Sequence, residues 1–188
     1  MTGVKIMLFT DWYEPGFKAG GPIRSCVNFA AQMKEDYAIY VFTGDRDLDD
    51  KQSYPQIEQN HWMERDGVQV FYASPGSLNW ESILVHIRRI KPEYVYLNSM
   101  YSRYFTIYPL LMKRMGVIKA QVILAPRGML QQGAIQFKPG KKKIFLKALN
   151  ILGVPKYIHA HATDEQEKED IYRYLPRIKK VAVVPNFS

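Results

Sequence analysis

Val4-Lys-Ile-Met-Leu-Phe-Thr10, then Asp11-Trp-Tyr-Glu-Pro-Gly-Phe-Lys-Ala-Gly-Gly21, then a segment from Pro22 to about Lys34: these three successive stretches decide the fold. The first is a near-continuous apolar run, the pattern of a strand buried on both faces. The second is a turn-rich loop closed by two glycines. In the third, Ile23, Cys26, Val27, Ala30 and Met33 recur at helical spacing and form a stripe to bury. Pro22 suits the first helical turn, where its missing N–H would have had no partner.

The same alternation continues outward. Ala38 to Thr43 reads as a strand closed by Gly44, followed by a polar, aspartate-rich loop from Asp45 to about Asn60. Trp62 to Ala73 predicts two short strands joined at Asp66-Gly67, a hairpin dipeptide. Ser77 or Asn79 caps a helix with Ile83, Leu84, Ile87 and Ile90 on one face. Tyr94–Leu97 is the next strand, then a helix from about Arg103 to Met115, then strand Gln121–Ala125. The spacing predicts a helix over about Lys141 to Leu152, burying Ile144, Phe145, Ala148, Leu149 and Leu152. A strand over Tyr157–Ala162 precedes a helix opened by Thr163 or Asp164, where Thr163…Gln166 and Asp164…Glu167 both fit a capping box. Val181–Val184 is the last strand.

Strands alternating with helices predict an α/β, Rossmann-like, doubly wound and mostly parallel sheet with helices on both faces. Residues 1–184 form one domain in this reading, and residues 185–188 begin a linker towards a second. Ligands of such sheets bind at the carboxyl ends of the strands. The loops Asp11–Gly21, Thr43–Asp50, Asn98–Arg103, Pro126–Gly133 and Ala162–Glu165 all follow predicted strands, so they share one rim.

A chain of 188 residues, 47% hydrophobic and 23% charged, supports one packed core and has no disordered balance. No apolar run approaches the roughly 20 residues that cross a bilayer. Cys26 is the single cysteine, which excludes an internal disulfide framework and a cysteine-cluster metal site. A reducing, cytoplasmic compartment is the expectation. The net charge of +8 favours anionic partners: nucleic acid, phosphorylated small molecules or an acidic membrane surface. Charge alone does not choose among them.

Several rim residues carry chemistry. Gly20-Gly21 lets backbone approach a phosphate at a helix N-terminus, or makes a plain turn; the GxGxxG fingerprint is absent. Arg24, one turn in, supplies a positive charge there or is simply solvated. Asp45 and Asp47 imitate an Asp-x-Asp metal motif, but a solvated acidic loop is the favoured reading, and no metal is assigned. A calcium loop fails because Asp50 and Gln56 hold the glycine and the acidic twelfth positions. His159 and His161 share one side of a strand and, without a third ligand, read as hydrogen-bonded histidines. Tyr101, Tyr104, Phe105 and Tyr108 read as core packing. Arg127, before Gly128 at the end of a central strand, is placed to hold an anion or to pair with a nearby carboxylate. Lys138, Lys141 and Lys142 form a positive front, with Lys141 on the apolar side of its helix facing the rim; Lys143 and Lys147 lie opposite, solvated.

Glu14-Pro-Gly-Phe-Lys-Ala-Gly-Gly-Pro-Ile-Arg-Ser, Asn98-Ser-Met-Tyr-Ser-Arg, Ala125-Pro-Arg-Gly-Met-Leu, Lys141-Lys-Lys-Ile-Phe and His161-Ala-Thr-Asp-Glu-Gln-Glu, in that order, resemble the N-terminal half of GT-B glycosyltransferases of family 4. Among these the chain is most similar to bacterial enzymes of capsular or exopolysaccharide assembly, and the resemblance covers nearly its whole length. It implies a retaining, metal-independent transfer from a nucleotide-sugar, a co-substrate rather than a cofactor, to a glycan or lipid-linked acceptor. It also implies an acceptor-holding half, with a nucleotide-binding half supplied in cis after Val184-Pro-Asn186. The Gly20-Gly21 loop, with Arg24, would meet the donor diphosphate. Asn98, Arg103, Arg127, Gly128, Lys138, Lys141 and Lys142 would serve acceptor or anion binding, with His161, Thr163 and Asp164 on the rim. Many relatives carry a histidine where Arg127-Gly128 stands, so no catalytic base is assigned.

Two other classes compete. A free-standing flavodoxin-like binding or regulatory module predicts a natural stop after Ser188. A nucleic-acid binder rests on charge alone and predicts a steep salt slope. The basic surface also fits a peripheral seat on the anionic inner leaflet.

Overall fold

The computed structural model describes residues 3–136 and 139–187. Eight strands form one sheet: β1 (Lys5–Phe9), β2 (Ala38–Gly44), β3 (Trp62–Arg65), β4 (Val68–Ala73), β5 (Tyr94–Leu97), β6 (Gln121–Leu124), β7 (Ile158–Ala162) and β8 (Lys180–Val183). Their spatial order is β3-β4-β2-β1-β5-β6-β7-β8, and every neighbouring pair is parallel except β3 with β4. That one antiparallel pair is the hairpin expected at Asp66-Gly67. Both turn residues have positive φ, 50° and 80°, as the two-residue turn that matches strand twist requires.

The helices are α1 (Gly21–Met33), α2 (Trp80–Ile90), α3 (Tyr108–Arg114), α4 (Gln132–Gln136), α5 (Pro139–Ile151) and α6 (Glu165–Tyr174). Local chemistry sets their ends. Asn79 caps α2 by accepting the Ser82 N–H at 2.9 Å, and Lys91 closes that helix in a left-handed conformation. Asp164 caps α6 by accepting the Glu167 N–H at 2.7 Å. The segment expected as one helix from Arg103 opens instead as a wide π turn over Arg103–Ile107 and becomes α-helical only at Tyr108. Pro109 near that junction has no N–H to give to a regular ladder. Among the described residues, no helix is long and apolar enough to cross a membrane.

The sheet separates two cores of unequal size. Ile83, Ile87, Met112, Ile135, Leu146, Leu149 and Ile171, from α2 to α6, pack against one face. Among the described residues, α1 is the one helix on the other face, through Cys26, Phe29 and Ala30. The wound arrangement is therefore lopsided, with helices on both faces but only one of them on the second. Rightward steps in the strand order, from β4 to β5 and on to β8, each carry their crossover to the same side, as a constant right-handed connection demands.

Two expectations are corrected. In α5 the buried residues are Leu146 and Leu149, while Ile144 is 71% and Leu152 48% exposed, so the apolar residues divide between two faces. Lys141 accordingly shares a side with apolar residues that face outward. The acidic loop after β2 is not solvated at its start: Asp45 and Asp47 are buried.

Candidate functional site

From β1 the chain steps to β2 on one side, and β5 later adds on the other, so the sheet has its topological switch point between β1 and β5. Crevices open at such points, outside the carboxyl ends of the strands. Leu97 pairs with Phe9 in register, and the Asn98 N–H donates to the Phe9 carbonyl at 3.0 Å. The residues that leave these two strands, Asp11 and Asn98 to Ser102, are thereby brought side by side. Ser102 Oγ donates to Asp11 Oδ1 at 2.8 Å. Burial raises the Asp11 pKa above the ordinary carboxylate value, more than the Ser102 and Ser99 hydroxyls lower it. Among the described residues Asp11 makes no ion pair.

Next to it runs a polar network centred on Arg127. Its Nε donates to Asn98 Oδ1 at 2.7 Å, one terminal nitrogen to the Tyr96 hydroxyl at 3.0 Å and the other to Asn186 Oδ1. None of these acceptors is charged, so the guanidinium keeps its positive charge without a direct carboxylate partner among the described residues. Arg127 and Gly128 both take positive φ, 54° and 73°, which turns the chain sharply after β6. The turn is held by Glu167, a carboxylate only 1% exposed. Its Oε1 accepts the Gly128 N–H at 2.6 Å, while Oε2 accepts the Thr163 N–H at 2.7 Å and the Thr163 hydroxyl at 2.8 Å.

Tyr96 extends the network to β7. Its hydroxyl lies 2.5 Å from His161 Nδ1, and His161 Nε2 lies 2.7 Å from the Val184 carbonyl. That carbonyl can only accept, so Nε2 carries the proton and Nδ1 accepts from the Tyr96 hydroxyl. Burial holds the His161 pKa below the ordinary imidazole value; the Val184 carbonyl opposes this, and the Arg127 charge adds to it. Burial also pushes the Tyr96 phenol far above its usual range.

On the other side of β1, Asp47 fastens the first rim loop to the second by accepting the N–H groups of Phe17 at 2.7 Å, Lys18 at 3.1 Å and Leu48 at 2.8 Å. Asp45 Oδ1 accepts Arg46 Nε at 2.8 Å, and Lys18 pairs with Asp50. Both members of the Asp-x-Asp pattern are thus spent on loop architecture, and no group of three or more metal-ligating side chains occurs among the described residues. Between the two loops lies an open groove of about 540 Å³, lined by Pro15, Phe17, Asp50, Gln52, Ser53 and Tyr54 among others. Phe17 stands on its edge, 77% exposed.

The structure therefore joins Asn98, Arg127 and His161 in one side-chain network and Gly128, Thr163 and Asp164 around Glu167 in a second, the two meeting at the Arg127–Gly128 backbone. Asn98 reaches the start of α1 through the Pro22 carbonyl at 3.5 Å. Gly20 needs its φ of 61°, and both glycines are exposed with open space above them. Arg24 is exposed one turn further on. Arg103 stands apart, its guanidinium 5.5 and 5.6 Å from the Tyr104 and Tyr108 rings and its Nε donating to the Tyr108 hydroxyl. Lys142 donates to the Ala134 carbonyl at 2.6 Å and lies over Tyr101, while Lys141 is exposed. Lys138 lies outside the described residues. Asp11, Tyr96, Glu167 and Asn186 are members that sequence reasoning missed. Asp11 directly follows a predicted strand and could have been found by the carboxyl-end rule; the capping box with Asp164 already marked Glu167 at the helix start, but not its reach to Gly128.

The sheet order and the switch point define a Rossmann-like α/β domain with a mostly parallel, doubly wound sheet. Sucrose-phosphate synthase from Thermosynechococcus elongatus superposes on 97% of this chain with a TM-score of 0.62 and 11% identity. A second solved chain of that enzyme matches 96% of this chain with a TM-score of 0.53 and 10% identity, and 88% of it is covered. The chain spans about half the length, 48%, of the first of these structures. No protein-family description and no curated protein matches the sequence.

Proposed function

We propose that this chain is the acceptor-side domain of a retaining, metal-independent glycosyltransferase that moves a sugar from a nucleotide-sugar to a glycan or lipid-linked acceptor in surface polysaccharide synthesis. The observation that carries the reading is the switch-point rim. Asp11 and Arg127, neither of which makes an ion pair among the described residues, stand at the ends of nearby strands of a fold shared with half of a sucrose-phosphate synthase.

The roles follow from charge and geometry. An acceptor hydroxyl needs a hydrogen-bond acceptor to orient it, and Asp11, already fixed by Ser102, supplies one. Charge grows on the diphosphate as its bond to the sugar breaks, and Arg127 offers a cation held in place by Asn98 and Tyr96. Gly20 and Gly21 leave room for that diphosphate beside α1. The groove beside Phe17 combines an exposed aromatic ring with amide and hydroxyl groups, a mixture suited to sugar rings further along an acceptor. The nucleotide-binding half is expected in cis, and no cofactor is required.

The test is acceptor-dependent release of nucleoside diphosphate by the whole product of the reading frame. The donors are UDP-, GDP- and dTDP-sugars; the acceptor is a membrane extract, with and without EDTA. Turnover that survives EDTA and falls at least tenfold in Asp11→Asn supports the reading. No acceptor-dependent release from any donor would overturn it.

A further inference from the structure

The outward face of α5 carries apolar side chains that the fold does not use. Leu146 and Leu149 turn inward and are buried, with half-buried Phe145 beside them. Ile144 and Ile151 point the other way, 71% and 74% exposed, with exposed Ala148 between them. Positions i, i+4 and i+7 lie along one line of a helix, here about 10 Å long at 1.5 Å per residue. Leu152 and Tyr157 are also exposed just beyond the helix end, where Arg114 donates to the Leu152 carbonyl and lies 5.3 Å from the Tyr157 ring. At about 100° per residue, Lys143 and Lys147 flank the line on one side and Lys141 on the other. All three lysines are exposed.

The charge distribution sharpens this. Residues 94–163 contain eleven Lys and Arg and not one Asp or Glu, while the rest of the chain holds fifteen basic against eighteen acidic residues. The whole positive excess therefore sits in the stretch that includes α5. Single exposed isoleucines need no explanation. Two on one line, with lysines on both sides and no acid in the segment, form the pattern of a helix lying in a membrane interface. A protein partner fits less well, because the cores of protein interfaces are depleted of lysine. Nucleic acid fits less well too, since isoleucines offer bases no ring to stack on.

We propose that the outward face of α5 docks on an anionic lipid bilayer, with Ile144 and Ile151 entering the headgroup boundary and Lys141, Lys143 and Lys147 meeting lipid phosphates. The edge contact between Phe145 and Tyr101, with ring centroids 5.6 Å apart, places the start of α5 against the loop after β5. Docking on this face would hold the rim near the bilayer surface. The proposal does not depend on the transferase reading, because vesicle binding is measured without any sugar.

The experiment is co-sedimentation of the whole protein with vesicles of phosphatidylcholine alone or mixed with phosphatidylglycerol. Binding is expected on the mixed vesicles only. Lys143→Glu with Lys147→Glu should weaken it by about 25-fold or more, at roughly fivefold per lysine near a charged surface. Ile144→Asn with Ile151→Asn should weaken it at least about tenfold, the scale of losing buried apolar side chains. Unchanged melting temperatures of both pairs would separate these losses from unfolding. Binding to neither vesicle overturns the proposal. So does a lysine effect without an isoleucine effect, which is surface attraction without insertion. A concentration-dependent dimer abolished by the isoleucine pair, with no vesicle binding, overturns it in favour of self-association.

Discussion

Gly16 stands where the first rim loop crosses Tyr54. A Cβ built there falls 2.4 Å from the Tyr54 hydroxyl oxygen and 2.9 Å from the Tyr13 carbonyl oxygen. Gly16→Ala should cost about 2 kcal/mol by forcing the loop off its seat. Tyr54→Phe in the same chain removes the nearer atom and should return about half of that loss. Urea midpoints of the four proteins check both statements, and equal losses in single and double variants would mean that the carbonyl contact dominates. Asp11 makes a prediction of opposite sign. Its pKa is raised in the folded chain, so the folded state binds more protons than the unfolded one between the two values. The contribution of Asp11 is then most favourable at low pH and is lost as pH rises through the folded value. Asp11→Asn should raise the melting temperature at neutral pH and leave a flatter profile above the ordinary value of 3.8. A lower melting temperature in that variant at neutral pH would show the carboxylate to be a structural member of the rim.

Elements meet through single buried groups, and α6 is the sharpest example. Glu167 lies in its first turn and holds both the Thr163 strand end and the Gly128 turn. Glu167→Ala leaves those part-buried N–H donors without their acceptor and should cost about 2 kcal/mol in urea unfolding. Glu167→Gln keeps one acceptor oxygen and should cost less. Between β7 and the chain beyond β8, His161 gives a pH signature. Its pKa is held below the ordinary 6.5, so the unfolded chain takes up a proton first as pH falls. Stability is then full above pH 6.5 and declines as pH drops through and below it. His161→Gln should flatten that decline relative to the parent chain; His86 and His159, also lowered, contribute equally to both proteins and cancel. Parallel profiles for the two chains would refute the assignment. These links also mark where sequence reading stops. The apolar runs at β1, β2, β5 and β6 announce themselves, because a strand buried on both faces has little choice of residue. The hairpin at Asp66-Gly67 and the caps at Asn79 and Asp164 are legible because their chemistry is local. In α5 the pattern misleads: Ile144 and Leu149 fit one apolar arc, but the helix turns Leu146 inward and leaves Ile144 outside. The contacts of Asp11 with Ser102, or of Glu167 with Gly128, join residues 91 and 39 positions apart and exist only once the strand order is known.

At the scale of the whole molecule, the lopsided sheet sets the next question, because α1 must serve a face eight strands wide. Past β5 that face carries Ile123, His159, Ala182 and Val184, with Met33 and Phe29 of α1 at its margin. The chain beyond β8 returns across it. Val184 is held by His161, Asn186 by Arg127, and the Phe187 carbonyl accepts Asn28 Nδ2 at 3.0 Å while its ring lies 6.3 Å from that of Phe29. The last described residues thus connect the β8 edge to α1, the helix that follows β1, with three strands, β5, β6 and β7, lying between β1 and β8. A chain ended at Pro185 loses the Asn186 and Phe187 contacts together, and partial burial of one aromatic ring alone is worth about 1–2 kcal/mol. The loss should not spread evenly. Amide hydrogen exchange should quicken in β8 and in the second half of α1, while the β3–β4 hairpin at the far edge keeps its rates. Uniform quickening would show that the molecule opens only as one unit, and no change in α1 would show that the returning segment does not brace it.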